Sequence, residues 1–450
     1  MSVIKQRQGS RALKSLITAV VLALVLPGWV SAAGFHIREQ GTKAMGMANA
    51  FVAQADDPSA IFYNPAGIAF QTGTQLSLGV TVVNVPETEF RGSTKSGDVA
   101  AGLGVEQQVN TKARDDIFFP PNFYMTTRKE GSPWAFGIGI GSLFPLAKRW
   151  DTTSPFRDEV KEIAIKPINV NPTVAYQFES INLGVAVGID YTYADVWLEK
   201  SACVDAYALG MTPMPGLAAV QLGELELEAD GDGWGYNFGF LWKPLETLSF
   251  GVAYRSEIKL DFDGDADYQI TSAGQSVYGS TVGYTDAIYS VGAKTEITLP
   301  DTWSFGVAWT PTSRLTVEFD ADRFGWSSYD SLDILFDEHT VLSDSLNRKD
   351  WNDVWAYRFG AQYAVTEMLD LRVGYARDNT PVPDDTLGPE LPDSDRNNYT
   401  IGFGYHTDRA VFDFAYMWVD FDDRKVDNET QTGTYKSDAY LFAANLTYFF

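Results

Sequence analysis

From Trp234 to Trp242 the chain alternates without a break: Trp234, Tyr236, Phe238, Phe240 and Trp242 fall on one side, Gly235, Asn237 and Gly239 on the other. A period of two over this length is a β-strand with unlike faces, because successive side chains of a strand point to opposite sides of the sheet. The pattern recurs at Leu76, Leu78, Val80 and Val82, at Trp134 to Ile140, at Leu183 to Ile189 and at Leu248 to Tyr254. One face is bulky and apolar, the other small, polar or charged. Alternation alone fits both a soluble sandwich, with the apolar face inward, and a membrane barrel, with that face against lipid.

Three features favour the barrel. The segments run to about ten residues or more, whereas strands of soluble domains peak near 5–6. Short turns (129–133, 179–180, 244–247, 311–314, 365–368 and 406–409) take turns with long loops rich in Asp, Ser, Gly and Thr, the pattern of short periplasmic and long outer connections. The last strand places Phe442, Leu446, Tyr448 and Phe450 on one face, resembling the terminal signal for outer-membrane assembly. The expected fold is all-β, a 14-stranded antiparallel transmembrane β-barrel. Its strands are expected near 74–86, 115–128, 134–144, 160–178, 181–199, 224–243, 247–263, 292–310, 314–326, 353–364, 368–379, 397–406, 409–422 and 435–450. Pro172 and Pro300 fall inside the fourth and eighth strands, where bulges or kinks are expected.

The first 32 residues set the compartment. Lys5, Arg7, Arg11 and Lys14 precede the apolar run Leu16–Leu26, and Val30-Ser31-Ala32 offers small residues for cleavage before Ala33, so residues 1–32 read as a secretory signal peptide. Removing them takes away four basic and no acidic residues, so the formal charge of −25 becomes −29. Such an acidic chain is unsuited to nucleic acid. No later stretch holds enough uninterrupted apolar residues for a helical span.

Between the leader and the first strand lies AGFHIREQGTKAMGMANAFVAQADDPSAIFYNPAGIAF, Ala33 to Phe70. It mixes small and apolar residues, has no strand period, and ends in Asn64-Pro65-Ala66. Ala33-Gly34-Phe35, the Gly46-Met47-Ala48-Asn49-Ala50 run, Ala55-Asp56-Asp57 and the Asn-Pro-Ala triplet resemble the mature start of the outer-membrane long-chain fatty acid transporter family, whose relatives include importers of aromatic hydrocarbons. Asn171–Tyr176, Leu299-Pro300, Trp351-Asn352-Asp353 and Arg372–Tyr375 extend the likeness along the chain.

The resemblance implies an N-terminal hatch, residues 33–72, inside a barrel of residues 73–450. It implies passive movement of hydrophobic ligand from an outer groove to a lumenal pocket, then sideways into the bilayer where the third strand kinks against Asn64-Pro65-Ala66. The third strand carries Gly137, Gly139 and Gly141 on one face and Pro145 just beyond. Glycines there permit a bend or a close approach; relief of crowding against the hatch is the alternative. For Asn64-Pro65-Ala66 the alternative is an ordinary turn.

Candidate pocket residues are Phe35 and, by alternation, the lumen-facing Arg255, Arg314, Arg358 and Arg372. A fatty carboxylate needs a cation beside an apolar pocket, yet arginines on an inner wall commonly pair with carboxylates, and Glu257, Glu318, Asp320, Asp370 and Asp413 stand near. The loops 150–161 and 200–222 are candidates for an outer groove, the second through Ala206, Leu209, Met211, Met214, Leu217, Ala218 and Val220. The run Asp261, Asp263, Asp265 and Asp267 reads as a solvated loop lacking the order of a calcium-binding hand.

The single cysteine, Cys203, and three histidines leave little for a disulfide framework, a metal site or histidine catalysis, and no G-x-S-x-G elbow is present. No catalytic residue, metal site or cofactor is expected. The expected protein is a monomeric transporter of the bacterial outer membrane, in contact with lipid and lipopolysaccharide. Its expected ligand is a long-chain fatty acid, with aromatic hydrocarbons, alkanes or the solutes of a polar porin as alternatives.

Overall fold

The computed structural model describes residues 34–94, 107–205 and 219–450. The expected leader, and Ala206, Leu209, Met211, Met214, Leu217 and Ala218 of the expected groove, lie outside these. Fourteen wall strands follow in chain order: β1 (Gly73–Val85), β2 (Asp116–Phe118 continued by Pro121–Arg128), β3 (Trp134–Gly141 continued by Leu146–Arg149), β4 (Glu162–Phe178), β5 (Leu183–Asp205) and β6 (Ala219–Leu245). They continue with β7 (Leu248–Arg255 and Ile258–Ile270), β8 (Ile288–Leu299 and Thr302–Thr312), β9 (Leu315–Phe324 and Ile334–Phe336), β10 (Val354–Thr366), β11 (Leu369–Asp378), β12 (Arg396–His406), β13 (Ala410–Phe421) and β14 (Asp438–Phe449). Each pairs antiparallel with its neighbour, and β14 pairs with β1, from Gln75↔Phe449 to Asn84↔Tyr440, closing the barrel. Closure leaves no sheet edge exposed to lipid.

The two prolines behave differently. Pro300 separates the halves of β8. Pro172 does not interrupt β4, which keeps one register with β5 from Val170↔Tyr191 to Thr173↔Gly188. The Asn171 side-chain amide donates to the carbonyl of Ile189 at 2.8 Å, supplying beside Pro172 the donor that proline lacks.

The alternation sorts as lipid-facing and lumenal. Trp134, Ile189, Trp234, Trp309 and Phe359 are exposed on the outer face, as a membrane wall requires. Above Trp234 the outer face changes sign: Glu228, Asp230 and Asp232 of β6 and Asp261, Asp263, Asp265 and Asp267 of β7 point out, paired Asp230↔Asp263 and Asp232↔Asp261. The acidic run at 261–267 is therefore strand, not a loop. It belongs to a part of the wall that rises past the apolar band.

The lumen has two storeys. In the upper one the inner face is apolar, with Ile163, Ile165, Val196, Leu225, Leu227, Leu260 and Phe262 buried in one cluster that includes Phe35. In the lower one it is polar, with Asp190, Asn237, Glu318, Asp320, Asp322, Arg358, Arg372 and Asp413 buried around the N-terminal hatch. The hatch is compact and contains the short helices Thr42–Met45 and Ala60–Tyr63 and the 3-10 helix Pro65–Phe70. Outside, Glu89–Thr94, Gln107–Lys112, Arg424–Asp427 and Gln431–Lys436 form a separate sheet that joins the first and last long loops.

Candidate functional site

Carboxylates of β9 fix the hatch in the lower storey. Asp320 accepts the backbone N–H groups of Phe51 and Val52 at 2.7 and 3.0 Å. Glu318 accepts those of Ala53 and Gln54 at 2.6 and 3.0 Å. Asp322 binds Arg38 of the hatch at 2.9 Å and Arg358 of β10 at 2.6 Å, and Arg358 reaches Asp378 at 2.9 Å. On β12, Thr400 accepts from Ala48 N and donates to Gly46 O. Between hatch and wall at His36, Arg38, Arg255 and Ser304 the remaining space is about 20 Å³, room for one water. The lower storey is filled.

The arginines expected to face the lumen divide. Arg255 pairs with Asp190, Arg358 with Asp322 and Asp378, and Arg372 with Asp413 at 2.6 Å. All three lie in the polar storey and hold the wall together rather than facing the apolar chamber. Arg314 is not lumenal. It is exposed in the turn between β8 and β9, where Thr312 pairs with Leu315, and alternation has no meaning inside a two-residue turn.

Asn64 caps the 3-10 helix, its Oδ1 accepting from Ala66 N at 3.2 Å. Its amide donates to Val52 O at 2.8 Å and to Phe240 O of β6 at 3.0 Å. The Asn64-Pro65-Ala66 segment therefore sits against β6 and β5, where Gly239 and Gly184 leave no room for a Cβ, and Ala66 shares an apolar cluster with Ala135 of the third strand. Other hatch residues face β3. A Cβ at Gly137 would lie 2.7 Å from Ile61 and one at Gly139 3.1 Å from Ile61, and one at Gly141 would meet Gln40. These glycines make room for the hatch, and the bend itself follows them at Ser142–Pro145.

That bend separates β2 from β3. The strands pair from Phe123↔Ile140 to Arg128↔Ala135 and meet again where Arg114 N donates to Arg149 O (2.8 Å) and Ala113 bridges Trp150. Between these levels the β3 backbone turns to the hatch. Ile37 N donates to Leu143 O at 3.0 Å and the Gln40 amide to Ser142 O at 2.5 Å. An ion pair, Arg149 with Asp116, crosses the seam above the break.

Phe35 occupies the junction of the two storeys. Its ring is surrounded by Trp326 at 4.9 Å, Trp351 at 5.8 Å, Tyr329 at 5.9 Å and Phe144 at 6.2 Å, edge to face, an arrangement favoured by the ring quadrupoles. The indole N–H groups of Trp326 and Trp351 make no hydrogen bond to any described residue.

Above the chamber, beneath the long loops, is a cavity of about 500 Å³ with Ile163, Leu198, Leu332, Ile334, Leu346 and Leu387 on its walls. Its cations are Lys200, Arg348 and Lys349. Lys349 is bound by Glu390 and Arg348 by Asp350, while Lys200 makes no ion pair among the described residues. Glu159 lies alongside, its carboxyl pushed up to about 8, first by burial and then by the charges of Glu390 and Asp158, against Lys349 and Lys200. It is thus mainly neutral at pH 7 and leaves Asp158 as the carboxylate whose charge acts on Lys200. The loop 150–161 contributes Asp158, Glu159 and Val160 to this cavity and buries Trp150 and Phe156 against Phe90 and Tyr435. Lys200 lies on β5, which continues to Asp205, so the expected groove loop 200–222 is mostly strand where described. Nothing in residue spacing marked Lys200, Arg348 or Lys349, since the first lies on β5 and the other two on the connection from β9 to β10, about 150 residues on.

A closed fourteen-stranded barrel with a lumenal hatch and an apolar upper lumen defines an outer-membrane channel. The chain belongs to the family described as "Outer membrane protein transport protein (OMPP1/FadL/TodX)", whose profile matches residues 23–450. The long-chain fatty acid transport protein of Salmonella typhi is 24% identical, over 97% of this chain and 98% of its own. Among solved structures, a FadL homologue of Pseudomonas aeruginosa superposes with a TM-score of 0.80 at 22% identity, covering 93% of this chain and 100% of its own. The toluene transporter TbuX of Ralstonia pickettii gives 0.64 at 16% identity, with 91% and 98% covered. The structural likenesses speak to fold.

Proposed function

We propose that this protein carries long-chain fatty acids passively through the outer membrane, receiving them in the loop-roofed cavity and releasing them sideways between β2 and β3. The observation that carries this reading is the pairing of Lys200 with the apolar walls of that cavity. An unpaired cation at the rim of an apolar space suits a carboxylate with a long tail. At about 25 cal/mol per Å² of apolar area removed from water, the tail needs no specific chemistry to bind.

The path below supports lateral release. The polar storey, filled by the hatch and fixed through Glu318, Asp320 and Asp322, offers a hydrocarbon tail nothing. The unpaired stretch of β2 and β3 leads from the apolar chamber toward the lipid. In this reading Phe35, Ile37 and Gln40 couple the chamber to the β3 bend, while Asn64, Pro65 and Ala66 moor the hatch to β6. Hydrocarbon transport is the second reading, favoured by the aromatic surround of Phe35 and by the counter-charges on Arg255, Arg358 and Arg372.

The test is uptake of radiolabelled oleate, with toluene and a linear alkane in parallel, by cells lacking their own transporter and expressing this chain. Oleate uptake above the empty strain is expected. Uptake of hydrocarbon alone moves the protein to the second reading, and ion conductance without either uptake makes it a pore.

A further inference from the structure

The wall breaks a second time, between β8 and β9. Thr295 pairs with Ile334 and Thr302 with Phe324. In between, residues 296–301 of β8 face a segment, 325–333, that leaves the sheet and sends Trp326 and Tyr329 inward to Phe35. Counting strands, six lie between this seam and the β2–β3 seam one way round the barrel and eight the other, so the two breaks are nearly opposite.

A cavity of about 560 Å³ occupies the second break. It is lined by residues from both faces of the wall: Lys294, Glu296 and Thr298 point outward on β8, while Thr295 and Phe262 belong to the inner face. Tyr329, at its inner end, touches the ring of Phe35 at 5.9 Å. The cavity thus runs from outward-facing wall residues to the ring that packs on Phe35. Its mouth carries Asp261, Asp263, Glu296, Asp330 and Asp333. Against these stand Lys294, which reaches Asp263 at 3.7 Å, and Lys259, which reaches Glu296 at 2.6 Å. Five carboxylates less two lysines leave three uncompensated charges. Inside, Thr295 is among the lining residues and is only 8% exposed, and its hydroxyl finds no hydrogen-bond partner among the described residues.

We propose that this opening is a second port, one that admits small aromatic molecules carrying a positive charge. A cleft lined by one sign of charge concentrates the opposite ion, and an aromatic lining holds a cation by its ring faces. The port and the Lys200 cavity share one wall. Alternation along Ser331–Leu335 turns Leu332 and Ile334 to the Lys200 cavity and Ser331, Asp333 and Leu335 to the port. Two cavities thus lie on either side of a single short segment. The inference builds on the transport reading only in treating the chamber as a ligand path.

The test is thiol labelling of outer membranes carrying the full chain with Cys203→Ser and Thr295→Cys. The cationic reagent trimethylammonium-ethyl methanethiosulfonate is expected to react about tenfold faster than its sulfonate counterpart. Trimethylphenylammonium is expected to slow the reaction, and benzoate to leave it unchanged. Thr298→Trp, filling the mouth from the outer face, is expected to suppress labelling while leaving oleate uptake intact. Equal rates for the two reagents, no protection by trimethylphenylammonium, or labelling indifferent to Thr298→Trp would overturn the port. Labelling does not depend on oleate transport, so loss of the fatty-acid reading would show separately, as absent oleate uptake in the unmodified chain.

Discussion

The rings of Phe144 and Trp326 lie 5.7 Å apart, edge to face, although one comes from the bend in β3 and the other from the segment following Phe324 of β9. Two wall strands far apart around the barrel have each left the sheet and met inside, with Phe35 packed against both. The lumen is therefore crossed by a bridge of aromatic rings at the level where the polar storey gives way to the apolar one. Whatever moves Phe35 pulls on both seams.

Lys200 is the residue whose loss should distinguish an acid from a hydrocarbon. Charge-assisted hydrogen bonds are worth about 1.5–3 kcal/mol, so Lys200→Met is expected to weaken oleate binding by roughly ten- to a hundredfold. Binding of a linear alkane should be unchanged. Titration of purified protein with a fluorescent fatty acid checks this, and equal losses for acid and alkane would count against the carboxylate site.

Glu159 gives that binding a pH dependence. Its carboxyl is pushed up to about 8 by burial and by Glu390 and Asp158, so it is neutral below that pH and ionised above. Ionisation puts a negative charge beside the ligand carboxylate and gives Lys200 a competing partner. Affinity for oleate is therefore expected to fall as pH rises from 7 to 9, on the order of tenfold, about 1.4 kcal/mol. Glu159→Gln should lessen that fall, leaving only what comes from Lys200, whose ammonium is pushed down by burial. A flat profile in the unmodified protein would refute the assignment.

The hatch should loosen when its carboxylate moorings are cut. Asp320→Ala leaves the N–H groups of Phe51 and Val52 without their acceptor, at about 1–3 kcal/mol for each buried orphan. Planar-bilayer conductance is expected to rise and trypsin to reach Arg38 or Lys43, while heat-modifiable mobility of the barrel on gels persists. An unchanged conductance and protease pattern would show the hatch held by other contacts.

Two glycines should differ in tolerance. At Gly239 an added Cβ meets Asn64, with Ala66 N at 2.7 Å and Pro65 Cδ at 2.9 Å, atoms fixed by backbone. At Gly137 it meets the flexible tip of Ile61. Gly239→Val is expected to abolish uptake with the barrel still assembled, and Gly137→Ala to retain most of it. Equal uptake by the two variants would contradict the mooring of the hatch on β6.

Most of the wall was legible because the bilayer enforces a simple code, in which each strand shows one face to hydrocarbon and turns must lie at its ends. The code fails where its cause is absent. Arg314 sits in a turn, where no face exists. Above Trp234 the outer side meets no hydrocarbon, so the acids of Asp261 to Asp267 resemble loop sequence while lying on a strand. The bend of β3 carried glycines and a proline as local marks. The departure of β9 after Phe324 carried only Gly325, because what draws Trp326 and Tyr329 inward is the ring of Phe35, almost 300 residues earlier in the chain. The hatch was recognisable as a stretch without strand period, but its moorings on Asp320 and Glu318 use backbone N–H groups, which no side-chain pattern announces.

Those moorings also set an order of events. The bond from Ala53 to Glu318 spans 265 residues of sequence, and that from Thr400 to Gly46 spans 354. Glu39, Ile37 and Gln40 find partners on β1 and at the β3 bend, but the stretch from Gly46 to Gln54 has its wall partners only once most of the chain has emerged. That stretch can be seated only as β9 to β12 come round to enclose it. Its many small side chains suit a segment that has to stay out of trouble until the last strands arrive.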